Sequence, residues 1–293
     1  MKIYHVDAFT PYVFGGNPAA VVPVEQWPTE AVMQQVAAEQ NLSETVFVGP
    51  AGNNDADRKI RWFTPAIEVD LCGHATLAAA HVLWNHEAEV VERLTFESRS
   101  GPLTVWHEKQ RAEDLIVMDF PAHDVESCEA PSELVEAIGV GPVEMLRTTK
   151  RLTTGEDSFY SYIAVFDSKR DVHDLAPDMM KLGRVDAHGV IATAPGASHD
   201  FVSRFFAPRA GVDEDPVTGS AHCALAPYWA HRLGKSRLAA RQVSKRGGEL
   251  RCDVVESTSG DRVLLAGKAV TYSTGEIVAN LAEHEPQAAV TTA

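Results

Sequence analysis

Residues 213–231 read DEDPVTGSAHCALAPYWAH: three acids and a proline, a Thr-Gly-Ser turn, then apolar residues at helical spacing. The same plan occurs earlier in the chain. Residues 61–84, RWFTPAIEVDLCGHATLAAAHVLW, carry an aromatic-x-Pro step, Phe63-Thr64-Pro65, that answers to Phe206-Ala207-Pro208. A short acidic turn follows in both, then a glycine, Gly73 or Gly219, that opens an alanine-rich stretch ending near a tryptophan. The helices predicted over 75–84 and 221–233 are apolar nearly all round, with Leu77, Ala78, Val82 and Leu83 in one and Leu225, Ala226, Tyr228 and Trp229 in the other. A helix without a polar stripe is enclosed by protein. Repetition of such a helix points to a duplicated architecture in which each half wraps strands around one buried helix.

Outward from these segments, strand-like runs occupy 3–9, 19–24, 45–48, 59–63, 94–97, 103–106 and 115–119, and resume at 159–166, 190–193, 202–206, 250–255 and 263–265. A further helix is predicted from about 29 to 40, entered by Trp27-Pro28-Thr29, with Val32, Met33, Val36 and Ala37 at helical spacing. Between the halves, residues 120–141 (FPAHDVESCEAPSELVEAIGVG) hold two prolines and acidic loops around one short helix, which places the crossover near 121. The expected organisation is an α/β (α+β) chain of two pseudo-symmetric domains, 1–120 and 121–276. The last segment, 277–293, either returns to complete the first domain or frays at its end.

Composition narrows the partners. The formal net charge of −15 repels phosphate backbones and anionic lipid, so neither nucleic acid nor a membrane surface is an expected partner. The opening MKIYHVDAFTPYVF meets His5 and Asp7 before any signal-peptide run, and no stretch of about 18 uninterrupted apolar residues follows. A cytoplasmic location is expected. Four cysteines without C-x-x-C spacing read as reduced thiols. No G-x-G-x-x-G follows a strand and no Walker A motif is present, so no nucleotide cofactor is expected. His74 and His81 stand seven apart with no acid at ligand spacing, and no metal is expected either.

If the two halves face one another, the helix starts at Gly73 and Gly219 converge, and their positive ends and unpaired N–H groups suit one anion, a small carboxylic acid. The flanking side chains differ: Cys72 and His74 on one turn, Thr218 and Ser220 on the other. A proton-swapping racemase with matched thiols needs a cysteine on both turns. Cys223 lies one helical turn beyond Gly219 and reads as core packing, while Cys72 is either a bystander or a site-lining residue. In NLSETVFV, alternation puts Glu44, Val46 and Val48 on one strand face, so Glu44 points inward with the valines or sits as a solvated strand edge. A carboxyl in apolar company can serve as acid and base in turn near neutral pH. His74 either meets a ligand or is a satisfied structural histidine; Asp215 either joins the site or belongs to an acidic loop. Ser220, outside any G-x-S-x-G elbow, reads as an N-cap or a ligand contact.

Four segments, GGNPAAVV at 15–22, NLSETVFV at 41–48, EVDLCGHATLAAAHVLW at 68–84 and DEDPVTGSAHCAL at 213–225, together resemble the signatures of the PhzF-like phenazine-biosynthesis isomerase family, in matching order and spacing. The resemblance implies the diaminopimelate epimerase-like fold, two barrel-like sheets each around a central helix, with the site between them and a homodimer as the assembly. It implies that Glu44 is the catalytic acid/base, with His74, Asp215 and Ser220 as its polar companions. Asn17, Cys72, Gly73, Thr218 and Gly219 are then the substrate-binding positions. The activity implied is a cofactor-independent isomerisation in which a proton passes between carbons of a small carboxylic acid. The cysteine before Gly73 belongs to a wider group of relatives with unassigned substrates. Two alternatives stay open: a Cys72-dependent racemase, epimerase or dehydratase, and a non-catalytic small-acid-binding or protein-interaction protein on the same fold.

Overall fold

Each half of the chain builds its sheet by the same sequence of moves. The computed structural model describes residues 1–278 apart from 54, 111–112, 150–151, 155–156 and 259. In the first half, Lys2–Ala8 pairs antiparallel with Asn17–Pro23. The helix Glu30–Gln40 then carries the chain over to Glu44–Gly49, parallel to Asn17–Pro23. Arg58–Phe63 adds antiparallel, with the short strand Glu68–Val69 beyond it. The helix Gly73–Asn85 is the next crossover, to Arg93–Glu97, parallel to Arg58–Phe63. Leu103–Gln110 and Glu113–Pro121 finish as an antiparallel meander.

The second half repeats this path. Glu144–Thr148 pairs antiparallel with Ser161–Val165, and two short helices, Lys169–His173 and Met179–Leu182, precede the parallel strand Gly189–Pro195. Phe201–Ala207 and the short Val212–Asp215 follow antiparallel. The helix Gly219–Leu233 crosses to Arg237–Gln242, parallel to Phe201–Ala207, and Gly248–Val255 and Arg262–Gly267 complete the unit. The two predicted helices are therefore equivalent crossovers, each starting at its glycine, two residues earlier than the apolar pattern alone suggests. Glu113–Pro121 pairs antiparallel with Arg262–Gly267, the last strand of one unit against the last of the other, so one hydrogen-bonded sheet runs through both.

Residues 269–276, counted with the second half on sequence, belong elsewhere. Ala269–Glu276 pairs antiparallel with Lys2–Ala8, and the backbones of Met1 and Ile277 exchange hydrogen bonds at its end. The return to the first half thus comes before the expected segment 277–293, of which 279–293 lie outside the described residues.

Enclosure explains the composition of the Gly73 helix. Ala75, Leu77, Ala78, Ala79, Ala80 and Val82 are wholly buried against Val6, Ala19, Val46 and Phe96 of the surrounding strands. Four small alanines let strand backbones approach closely. A Leu77→Ala change in such packing costs about 2–5 kcal/mol. The strand Glu44–Gly49 is buried on both faces, with Val46 and Val48 toward the Gly73 helix and Phe47 toward Val32, Met33 and Val36 of the outer helix. That outer helix starts where Thr29 accepts from the Val32 N–H and stops at Asn41 in the left-handed conformation, φ 50°.

The Gly219 helix contains Pro227, which has no N–H to give the Cys223 carbonyl four residues back. The backbone N–H of His123, on the connection between the halves, donates to that carbonyl at 3.0 Å instead. No helix among the described residues is long and apolar enough to cross a membrane.

Candidate active site

The two central helices meet head to head. A methyl group placed on Gly73 would lie 3.5 Å from the Cα of Gly219, and one on Gly219 equally close to the Cα of Gly73. The Phe120 ring and a Leu265 methyl flank this junction. The N-cap residues are Cys72 and Thr218, both extended, and neither side chain caps its helix; no acidic residue stands in either first turn. Two sets of first-turn N–H groups and two positive dipole ends therefore face one small region, with no side-chain cap on either helix. Ser220 is not the N-cap that one sequence reading allows: it is the second helical residue, half-buried at the junction, because the cap position falls to Thr218.

Asn17 joins the halves. It opens its strand after Gly16, whose φ of +59° and whose place against Ala8, where a Cβ would sit 2.0 Å from the carbonyl oxygen, exclude a side chain. Its Nδ2 donates to Asp215 Oδ1 at 2.8 Å and to the Val217 carbonyl at 3.0 Å, and lies 3.1 Å from His74 Nδ1. Acceptors on two sides fix which end of the amide is nitrogen. The Ser43 hydroxyl approaches the other end, Oδ1, at 3.5 Å.

Around this amide the titratable groups gather. His74 Nε2 is 3.1 Å from Glu44 Oε2, close enough for an ion pair, yet the two are misaligned and neither buried atom has a hydrogen-bond partner. Cys72 Sγ lies 3.4 Å from Nδ1, the second ring nitrogen. Burial pushes the Cys72 thiol up to about 11, the Glu44 charge adding and His74 opposing, so at neutral pH it is protonated. Burial lowers the affinity of His74 for a proton, but its facing partners more than offset this and hold the imidazole well above its ordinary range. With the thiol neutral, the Glu44 carboxylate is the partner responsible. Asp215 keeps a little solvent contact, but surrounding protein raises it to about 6; Glu44 adds to the rise, and His74 and the hydrogen bonds from Thr218 and Asn17 oppose it.

The fold thus brings together Asn17, Glu44, Cys72, Gly73, His74, Asp215, Thr218, Gly219 and Ser220, all nine of the positions singled out in the sequence. It sets others apart. His81, two turns along the helix from His74, bonds Thr271 instead, and Cys223 is core packing, its thiol pushed up to about 12 by burial. Sequence reasoning missed Gln242, which is wholly buried: its Oε1 accepts from the Thr218 N–H at 2.9 Å, and its Nε2 donates to the Asp215 carbonyl at 2.6 Å. It also missed Arg246, which pairs with the buried Asp7 at 2.6 Å and donates to the carbonyls of Gly15 and Gly16, fixing the turn that presents Asn17. The strand RLAARQ signals Gln242 by alternation, since Leu238, Ala240 and Gln242 share the inward face. The Glu44, Cys72 and His74 donor atoms lie within 4.8 Å of one another, the one such trio of metal-ligating types among the described residues.

Two enclosed helix ends thus meet at one point between the two halves of the fold, ringed by two carboxyls and an imidazole. Residues 6–275 match the family model described as phenazine biosynthesis-like protein, and the chain belongs to that family. It is 46% identical over 277 residues to an uncharacterized isomerase of Pseudomonas aeruginosa, covering 94% of this chain and 98% of that one. Its fold superposes on the crystal structure of a PhzF-family phenazine biosynthesis protein from Enterococcus faecalis with a TM-score of 0.82 and 43% identity, over 94% of this chain and 98% of the other. A predicted epimerase from Pseudomonas aeruginosa shares the fold at a TM-score of 0.71 and 19% identity, over 95% and 99% of the two chains. The architecture is therefore the epimerase-like one that the sequence resemblance implied.

Proposed function

We propose that this chain is a cofactor-independent isomerase that moves a proton from one carbon to another of a small carboxylic acid, with Glu44 as the relay. The observation that carries this reading is the placement of the Glu44 carboxyl, with His74 at 3.1 Å, beside the junction of two uncapped helix N-termini. The substrate carboxylate binds the N–H groups at Gly73 and Gly219, with Ser220, Thr218 and Cys72 around it. Held there, its acidic carbon lies within reach of Glu44, which takes the proton and returns it to a second carbon of the same molecule. His74 and Asp215, tied together through Asn17, orient the relay and balance the charge that develops. A homodimer belongs to the same proposal and is checked by sedimentation equilibrium.

The decisive experiment screens small cyclic and amino acids for uptake of solvent deuterium at carbon. Uptake that the Glu44→Gln variant lacks supports the relay; no uptake with any acid that binds would leave the binding-protein alternative. The 3.4 Å contact between Cys72 and His74 favours a second reading, a thiol base in a racemase or dehydratase. Against it stands the thiol's elevation to about 11 in its buried setting.

A further inference from the structure

We propose that Glu44, Cys72 and His74 form a binding site for a zinc-type divalent ion, which closes the cleft to substrate. Glu44 Oε2 and His74 Nε2 stand 3.1 Å apart, both buried and both without a hydrogen-bond partner. Two ligands on one tetrahedral zinc, with bonds of about 2.0–2.2 Å, lie about 3.3 Å apart and point at the ion, not at each other. The 3.1 Å separation of this pair is close to that spacing. Cys72 adds sulfur, and all three donors already lie within 4.8 Å of one another, about 1 Å beyond the spacing of ligands on one zinc, a gap that side-chain rotation covers. Asn17 approaches Nδ1, so Nε2 is the nitrogen left for the ion.

Sulfur, imidazole nitrogen and carboxylate oxygen together suit zinc and its neighbours, and disfavour magnesium and calcium, which seek oxygen alone. On binding, the Cys72 S–H and His74 Nε2–H bonds break, both protons pass to solvent, and the freed sulfur and nitrogen lone pairs form the bonds to zinc beside the Glu44 carboxylate; no electron changes hands. The sequence concealed the site because Glu44 stands far upstream of Cys72 and His74 and arrives only through the sheet. Blockage of catalysis rests on the function proposed above, since the ion would take the relay oxygen. Binding itself does not.

The test uses cobalt as a spectroscopic stand-in for zinc on the full chain stripped of metal with a chelator. The expected result is a near-ultraviolet sulfur-to-cobalt charge-transfer band saturating at about one ion per chain. Zinc should displace it, and millimolar magnesium should leave it unchanged. Cys72→Ser and Cys72→Ala should abolish the band although Cys223 and Cys252 remain, and His74→Gln or Glu44→Gln should weaken cobalt binding at least about tenfold. Circular dichroism identifies the variants that keep the fold. A band that survives both Cys72 variants, or cobalt binding without one, overturns the site. Zinc should also stop deuterium exchange reversibly, and exchange that continues at saturating zinc overturns the blockage. If no acid exchanges at all, the proposed function fails while the cobalt band still decides the metal site.

Discussion

Asn17 of the first half donates to the Asp215 carboxylate of the second at 2.8 Å across 198 positions of sequence, from the same nitrogen that faces His74. One amide therefore ties His74 of one lobe to Asp215 of the other. Asn17→Ala leaves Asp215 Oδ1 and the Val217 carbonyl without this donor in a buried place, a loss of about 1–3 kcal/mol. Urea denaturation should show that drop, with a fall in deuterium exchange beyond what the folded fraction explains. Asn17→Asp should be worse and increasingly so as pH rises, since it sets a second carboxylate against the first.

Glu44→Gln keeps size and most of the polar contacts but cannot take a proton from carbon. Exchange should fall by roughly 10²–10⁴-fold while ligand affinity largely survives. Glu44→Asp, with its carboxyl withdrawn by one methylene, should fall between the two. Cys72→Ser should cost at most about tenfold, as expected for a neutral lining group and not for the base. A larger loss in Cys72→Ser than in Glu44→Gln would hand the mechanism to the thiol.

Asp215 gives stability a pH dependence of defined sign. Its pKa rises from the usual 3.8 to about 6 on folding, so between these values the folded state holds a proton that the unfolded chain has released. Stability from this group is therefore greatest below about pH 4 and declines as pH rises to about 6, by at most about 3 kcal/mol. Asp215→Asn should remove that decline. Denaturation curves of both proteins at about pH 4, 5, 6 and 7 would reveal it as a gap that narrows, or reverses in favour of the variant, toward neutrality.

At the helix junction, Gly73→Ala and Gly219→Ala singly place a methyl at ordinary contact distance from the opposite Cα. Each should fold with a change of less than about 1 kcal/mol, alanine being the better helix former. Each should nonetheless raise KM, because the methyl occupies the approach to the N–H groups. The double variant puts two methyls into space for one. Thermal unfolding should show it less stable than the sum of the singles, a coupling absent unless the helices meet as described.

What could be read from the sequence were the parts whose signal is local. The glycine-headed helices declared themselves by repetition, and Glu44 by the alternation it shares with Val46 and Val48. Whether Glu44 points inward or sits at a solvated edge stayed open, because the helix Glu30–Gln40 that covers the Phe47 face of its strand makes contact only through the fold. Gln242 and Arg246 stayed hidden for the same reason: their partners, Thr218, Asp215 and Asp7, are brought to them by strand pairing. Ala269–Glu276 escaped notice because most of its residues are partly or fully exposed, so no apolar alternation marks it as a strand. Asn17 came only from family resemblance, since a lone asparagine after two glycines reads as a turn.

The pairing of Lys2–Ala8 with Ala269–Glu276 has a consequence for how the protein is made. On the ribosome Lys2–Ala8 emerges long before its partner, which follows only after both central helices have been made. Until then the N-terminal lobe has an unsatisfied edge, a row of free N–H and C=O groups beside Ile3, Tyr4 and Val6. A nascent or truncated 1–120 fragment is thus a sticky species, open to pairing with its own copies or to capture by a chaperone. Pairing of Ala269–Glu276 is the step that releases it, and the N-terminal lobe closes only once that strand arrives.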